Sequence, residues 1–277
     1  MSSYEQYDRT SAHYDWTRWP IGAEIIVGCL AQGRVPVAEM TVLDAGCGTG
    51  NYVRALLPHV ARIEALDRSP GMLEVARRKL ADTVADGRVT LHRGSIDALP
   101  LAAASVDGIV INQVLHHLPD DPEAGWTAHR RVFGECARVL RADGVLVINT
   151  CSHVQTEQGF WPFHLIPRAR DEILRRLMPL DILEHALRDC GIEPRGRFVP
   201  IDALVQGEEY LDPRGPLRAE WRAGDSIWAL VDEAELAKVE RTLCDLDARS
   251  DLEAYVARHD ARRLQIGQVT FLYGIKA

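Results

Sequence analysis

Three glycines, Gly46, Gly48 and Gly50, occupy every second position directly after the apolar run Thr41-Val-Leu-Asp-Ala45. Glycine admits a tight turn and lets a ligand approach bare backbone, and a helix starting at Asn51 turns its positive end toward that turn. Such a loop can hold a nucleotide-like ligand. A dinucleotide fingerprint, G-x-G-x-x-G, needs a small residue at position 51, which is Asn51 here. Asp67 ends the next alternating stretch, Arg62-Ile-Glu-Ala-Leu-Asp67, where a carboxylate usually grips the two hydroxyls of a ribose. His116 and His117 follow a later apolar run, at the carboxyl edge where open α/β sheets bind ligands, and an imidazole near neutrality is a suitable base. Adjacent residues rarely point the same way, so the pair with Asp120 or Asp121 is not read as a metal site.

These residues need a frame. The front half alternates strand and helix signals, with strands at Thr41–Ala45, Arg62–Asp67, Val89–His92, Val106–Asn112 and Val145–Ile148. Ser69 caps a helix with Pro70 at its first position, and Leu73, Ala76 and Leu80 recur at helical spacing. Asp121-Pro122 starts another helix, with Trp126, Phe133, Cys136 and Leu140 on one face, and Arg141-Ala-Asp-Gly144 is a turn. This alternation predicts an α/β fold with a parallel sheet and right-handed crossovers.

Beyond Thr150 the rhythm changes. Asp181-Ile-Leu-Glu184 reads as a capping box on a short helix that Gly191 terminates, and Phe198–Val205 as a strand. A stretch of about residues 208–263 carries no strand signal. Within it Asp232 caps a helix with the stripe Leu236, Val239, Leu243 and Leu246, and a second helix follows Asp251. Val269–Tyr273 reads as a last strand.

Composition excludes several classes. The 277 residues hold 32 basic and 40 acidic side chains, a net charge of −8 that argues against a nucleic-acid partner. With 47% apolar and 26% charged residues the chain can bury a sizeable core. No apolar run approaches the roughly 20 residues a bilayer needs, and the first residues lack a basic-then-apolar leader, so a cytoplasmic location and no membrane partner are expected. Six cysteines are scattered without a CxxC pair, which suits small buried hydrophobes in a reducing compartment, not a metal site.

The stretch Val42-Leu-Asp-Ala-Gly-Cys-Gly-Thr-Gly50 with Asp67 resembles the class I S-adenosylmethionine-dependent methyltransferases, most of all their small-molecule, ubiquinone-biosynthesis-like branch. The likeness continues through Asp67-Arg-Ser-Pro-Gly-Met72, Gly94-Ser-Ile-Asp-Ala-Leu-Pro100, Leu115-His-His-Leu118 and Arg138-Val-Leu-Arg-Ala-Asp-Gly144, all in order over about residues 40–150. It implies a Rossmann-like seven-stranded sheet, mostly parallel with an antiparallel last strand, and S-adenosyl-L-methionine as cofactor with S-adenosyl-L-homocysteine as product. Asp67 would take the ribose diol, Asp44 would orient the amino-acid end, and Gly46, Gly48 and Gly50 would let the backbone approach. Met72 would pack on the adenine, though its helical spacing also suits the core. The family commonly has an acid directly after Gly94, where this chain has Ser95, with Asp97 the nearest carboxylate. Adenine reading therefore falls to Ser95 or to the backbone around Ile96. Asn112, at the end of the fourth strand, completes the cofactor set.

The resemblance implies methyl transfer by in-line displacement, in which alignment supplies most of the acceleration and a base matters only for a protonated acceptor. His116, His117 and Tyr14 are the catalytic candidates. Aromatics crowd two segments, Tyr4, Tyr7, Tyr14, Trp16 and Trp19 at the front and Phe160, Trp161 and Phe163 after the fifth strand. Such walls suit an apolar acceptor or one that becomes cationic on methylation; packing of a lid is the plainer use. The expected layout is an N-terminal helical arm over 1–40, a cofactor core over 41–151, and sheet completion with a helical cap over 152–277. The expected acceptor is a small molecule, apolar or amine-containing, methylated on N or O ahead of S, by a monomer or homodimer. Arg18 would face a carboxylate, and His153, His164 and Tyr210 are lesser pocket candidates. The alternatives are a binding module or cyclase on the same fold, and a nicotinamide-dependent oxidoreductase.

Overall fold

The computed structural model describes residues 19–277. A seven-stranded sheet has the order β3-β2-β1-β4-β5-β7-β6. Its strands are β1 (Thr41–Ala45), β2 (Arg62–Asp67), β3 (Val89–Arg93), β4 (Val106–Asn112), β5 (Leu140–Thr150), β6 (Ile192–Phe198) and β7 (Thr270–Lys276). β3, β2, β1, β4 and β5 pair in parallel, while β7 runs antiparallel to both β5 and β6. All seven residues of β4 are buried, as expected for a central parallel strand covered on both faces. Even its inward acid is satisfied: Asp107 accepts from Thr41 N at 2.8 Å and from Arg141 Nη1 at 2.7 Å.

Helices lie on both faces. Val42, Val110, Val145 and Val147 pack against α1 (Ala23–Leu30), α2 (Asn51–Leu56) and α3 (Pro70–Lys79). The alternate residues Leu43, Ile109, Ile111, Leu146 and Ile148 pack beneath, against two longer helices. The helices that follow α3 in chain order are α4 (Ala81–Ala85), α5 (Thr127–Val139), α6 (His153–Gln158), α7 (Pro167–Arg176) and α8 (Leu180–Asp189). Of these, α5 and α8 supply the lower layer through Val132, Phe133, Leu183 and Leu187. Strand order reverses between β1 and β4, so their carboxyl ends frame the crevice where such sheets take ligands.

Four local expectations are corrected. The helix after the fourth strand begins at Thr127 and not at Asp121-Pro122: Asp121 holds Ala124 N in a turn, and Trp126 sits at φ 58°. Asp120 then accepts from His129 N and Nδ1, each at 2.9 Å. Arg141–Gly144 lies inside β5, which runs unbroken from Leu140. Asp181 forms no cap, because α8 starts one residue earlier behind Pro179. The sixth strand is Ile192–Phe198 in place of Phe198–Val205.

Between β6 and β7 lies a cap without strands, containing α9 (Ala219–Arg222), α10 (Glu233–Ala248), α11 (Leu252–Asp260) and α12 (Arg263–Ile266). Asp232 accepts from Glu235 N at 2.8 Å and caps α10, as its sequence predicts. A buried network fastens the cap to the segment after β5. Tyr210 OH donates to Asp260, whose carboxylate is also held by Arg263 at 2.7 Å, and Trp161 Nε1 donates to Tyr210 O at 2.8 Å. No helix among the described residues is long and apolar enough to cross a membrane.

Candidate active site

The glycine loop folds back over the end of β2. Gly46 N and Cys47 N donate to Leu66 O at 2.8 and 2.9 Å. Gly46 has φ 94° and a Cβ there would stand 2.5 Å from Val114 Cγ2; at Gly50, φ 83°, it would stand 2.9 Å from Leu80 Cδ1. Both conformation and space demand glycine at these two positions. Gly48 N donates to Asp67 Oδ2 and Ser69 N to Asp67 Oδ1, each at 2.8 Å. Asp67 therefore has a task the sequence did not announce: it fixes the loop as well as facing the crevice. Lys79 Nζ braces the other side, donating to Asn51 Oδ1 at 2.7 Å.

Asp44 is the decisive group. It is 1% exposed, and neither carboxylate oxygen has a hydrogen-bond partner among the described residues. Burial, with the charge of Asp67 nearby, pushes its carboxyl up to about 7. Burial also raises Asp67, against the lowering pull of the Ser69 and Gly48 amides. The Asn112 amide is likewise buried without a partner, and in the β1–β4 register it lies two residues beyond the partner of Asp44, on the same face. Unpaired buried polar groups are costly. Two carboxylates and an amide at one sheet edge match a ligand with a cationic amino-acid end and a ribose, so these residues fit S-adenosylmethionine.

The other predicted cofactor residues gather at the same edge. Met72 is buried at the start of α3, behind the Ser69 cap, and belongs to neither apolar cluster of the sheet. Ser95 Oγ donates to Asp97, which leaves the hydroxyl lone pairs as acceptors. Ile96 packs its side chain into the lower apolar layer.

A cleft of about 570 Å3, counted to its open mouth, lies beside Gln113, the residue that follows Asn112. His116 and His117 both line it, because the 3₁₀ turn Leu115–His117 brings their rings to a centroid distance of 4.2 Å. Phe160 and Phe163, stacked at 4.5 Å, form part of its wall. Trp161 does not reach it and is buried with Tyr210. His153 Nε2 donates to Leu177 O at 2.8 Å, and His164 packs on His259; neither lines the cleft, nor does Tyr210. Tyr14, with Tyr4, Tyr7, Trp16 and Arg18, lies outside the described residues.

Sequence reasoning missed Gln113, Thr156 and Asp225, which also line the cleft. Gln113 sits at φ 54° and donates through Nε2 to Asn149 Oδ1 at 3.0 Å, and Asn149 Nδ2 donates to Tyr52 OH at 3.2 Å. A polar residue directly after Asn112 at a strand's carboxyl end was the available signal.

Comparison with known proteins agrees with this geometry. Residues 43–148 match the family described as a methyltransferase domain. A probable S-adenosylmethionine-dependent methyltransferase of Mycobacterium tuberculosis is 32% identical over 171 residues, 60% of this chain and 56% of that protein. Over residues 43–148 the chain is thus similar to S-adenosylmethionine-dependent methyltransferase domains. A malonyl-(acyl-carrier protein) O-methyltransferase of Serratia marcescens is 35% identical over 112 residues, 39% of this chain and 37% of that protein. This chain thus spans from 37% to 56% of the length of these curated relatives. The crystal structure of a putative methyltransferase from an antibiotic biosynthesis pathway of Anabaena variabilis superposes with a TM-score of 0.71 at 24% identity, covering 94% of this chain and 99% of that one. That likeness shows the fold. The methyltransferase domain match stops inside β5, before Phe160, Phe163 and Asp225.

Proposed function

We propose that the protein transfers a methyl group from S-adenosylmethionine to a small-molecule acceptor by in-line displacement, as a cytoplasmic enzyme. The carrying observation is the carboxylate of Asp44, buried at the glycine loop without a hydrogen-bond partner among the described residues. When bound, the cofactor supplies an electrophilic methyl group on a sulfonium. Asp44 and Asn112 would hold its amino-acid end, Asp67 its ribose, and Met72, Ser95 and the Ile96 backbone its adenine. The arm over 1–40, the core over 41–151 and the sheet completion and cap over 152–277 divide the work into cover, cofactor binding and acceptor binding. A cap over the cleft suits a small acceptor, apolar or amine-bearing, with N or O as the methylated atom ahead of S. Sequestration from water keeps the reacting atoms aligned, which effective molarities of about 10⁵–10⁸ M make the largest single contribution.

A single-turnover assay with methyl-labelled cofactor and a panel of small amines and phenols tests the reading. Label should appear in a small product with stoichiometric S-adenosylhomocysteine. Cofactor binding without label transfer across the panel would favour a binding module or cyclase, and NADH binding in place of S-adenosylmethionine would favour an oxidoreductase.

A hydroxyl acceptor has to lose its proton, and His116 and His117 are the bases at the cleft, with Tyr14 a third candidate. The rate with bound acceptor is expected to fall on the acid side, and His116→Ala should abolish that limb. A pH profile unchanged in the variant would leave alignment alone as the catalytic device.

A further inference from the structure

Gln113 lines the cleft with both its backbone and its side chain held in place. Its φ of 54° is uncommon for a residue with a side chain, and such outliers persist only where the surroundings enforce them. Asn149, 1% exposed near the end of β5, enforces this one twice. Gln113 N donates to Asn149 O at 2.9 Å, and Gln113 Nε2 donates to Asn149 Oδ1 at 3.0 Å.

The polarity of the Gln113 amide follows from the network behind it. Ile21 O can only accept, so the Tyr52 hydroxyl donates to it at 3.0 Å and accepts from Asn149 Nδ2 at 3.2 Å. Asn149 thereby turns Oδ1 toward Gln113, which answers with its NH₂ and keeps Oε1 for another donor. That oxygen lies 3.7 Å from Sγ of Cys151, a second cleft-lining residue. A thiol is a weak donor and uses at most one of the two lone pairs of an amide oxygen. Capacity for a full-strength hydrogen bond is left at the cleft.

We propose that Gln113 selects the acceptor: Oε1, fixed through Asn149, takes a hydrogen bond from a hydroxyl or neutral N–H of that molecule. This deepens the methyl-transfer reading above and rests on it. A hydroxyl or amine that donates in this way keeps a lone pair on its own heteroatom. A molecule of the same shape whose polar atoms only accept would set one acceptor against another. The amide cannot turn over to meet it without breaking its bond to Asn149. Sites that hydrogen-bond a substrate O–H or N–H reject analogues lacking it for this reason.

Binding to the full chain saturated with S-adenosylhomocysteine tests this with two pairs of nearly equal shape, indole against benzofuran and phenol against fluorobenzene. The donor of each pair should bind at least about fivefold more tightly, the worth of one hydrogen bond. Gln113→Met keeps the length but loses the amide oxygen, and should bring both ratios within about twofold. Gln113→Gly accepts the positive φ without strain and should give the same loss with the turn intact. Gln113→Glu keeps an acceptor oxygen and should restore the preference, which a merely structural role would not produce. Equal or tighter binding of benzofuran and fluorobenzene, no binding of indole or phenol at millimolar concentration, or ratios unchanged in the Met and Gly variants overturns the proposal. So does a Gln113 variant that loses S-adenosylhomocysteine while keeping the donor preference, which would place the residue in the cofactor site. Failure of the wild-type chain to bind S-adenosylhomocysteine would instead overturn the methyl-transfer reading, so the two failures are distinguishable.

Discussion

Asp44→Asn should make the ligand-free protein more stable and its hold on S-adenosylhomocysteine weaker. The Asp44 carboxyl is raised from 3.8 to about 7 by burial and by Asp67. An acid whose folded value lies above its unfolded value binds its proton more tightly in the native state. Ligand-free stability therefore declines as pH rises from about 4 to about 7 and stays reduced above it. At 1.36 kcal/mol per unit, a shift of about 3 units corresponds to about 4 kcal/mol at pH 8. Asn cannot ionise, so the variant should melt higher at pH 8, by at least roughly 5 °C for a chain of this size. Its melting temperature should also lose much of its fall between pH 4 and 7.

The same charge has a use once a cationic amino-acid end arrives. Wild-type affinity for S-adenosylhomocysteine should drop by about tenfold per pH unit below about 7, while Asp44→Asn binds weakly and with a flatter profile. Differential scanning fluorimetry and calorimetry over this range read both effects. A variant that melts lower than wild type at pH 8 would show that Asp44 is held by contacts, not strained by burial. One that binds the ligand as tightly as wild type would remove it from the cofactor site.

The cofactor half was legible because its chemistry is local. Gly46, Gly48, Gly50 and Asp67 lie in one strand–loop–helix–strand unit, although the neighbour that demands glycine at 46, Val114, comes from beyond β4. The cleft was less legible because it is assembled by sheet order. Gln113, Thr156 and Asp225 come from segments far apart in sequence, and none sits in a motif. The sixth strand escaped for another reason. Ile192-Glu-Pro-Arg-Gly-Arg-Phe198 is an edge strand with a register shift between Pro194 and Gly196, and an edge tolerates proline and polar residues that blur a period of two. Val199 and Ile201, which suggested the strand, are exposed. The doubled acids at Asp120 and Asp121 misled in a third way: both cap something, but Asp121 closes a turn and Asp120 the buried His129.

Asp67→Ala should abolish useful cofactor affinity by two routes at once. Both carboxylate oxygens are already engaged by the loop, Oδ2 by Gly48 N and Oδ1 by Ser69 N, and each keeps lone-pair capacity for one ribose hydroxyl. Each hydrogen bond to the charged group is worth roughly 1.5–3 kcal/mol, or about 10- to 150-fold in affinity. Losing the diol contacts alone therefore predicts a fall of at least about 100-fold. The second route is the loop: without its acceptor, the Gly48 amide no longer fixes the turn that Gly46 and Gly50 shape. Asp67→Asn separates these contributions. Its amide oxygen can serve one of the two backbone donors, but its NH₂ would face the other N–H, so it should recover only part of the loss. Calorimetric titration with S-adenosylhomocysteine should rank wild type well above Asn, and Asn above Ala. An Asn variant equal to wild type would mean that shape, not acceptor charge, holds the ribose. An Ala variant within about threefold of wild type would move ribose recognition away from β2 altogether.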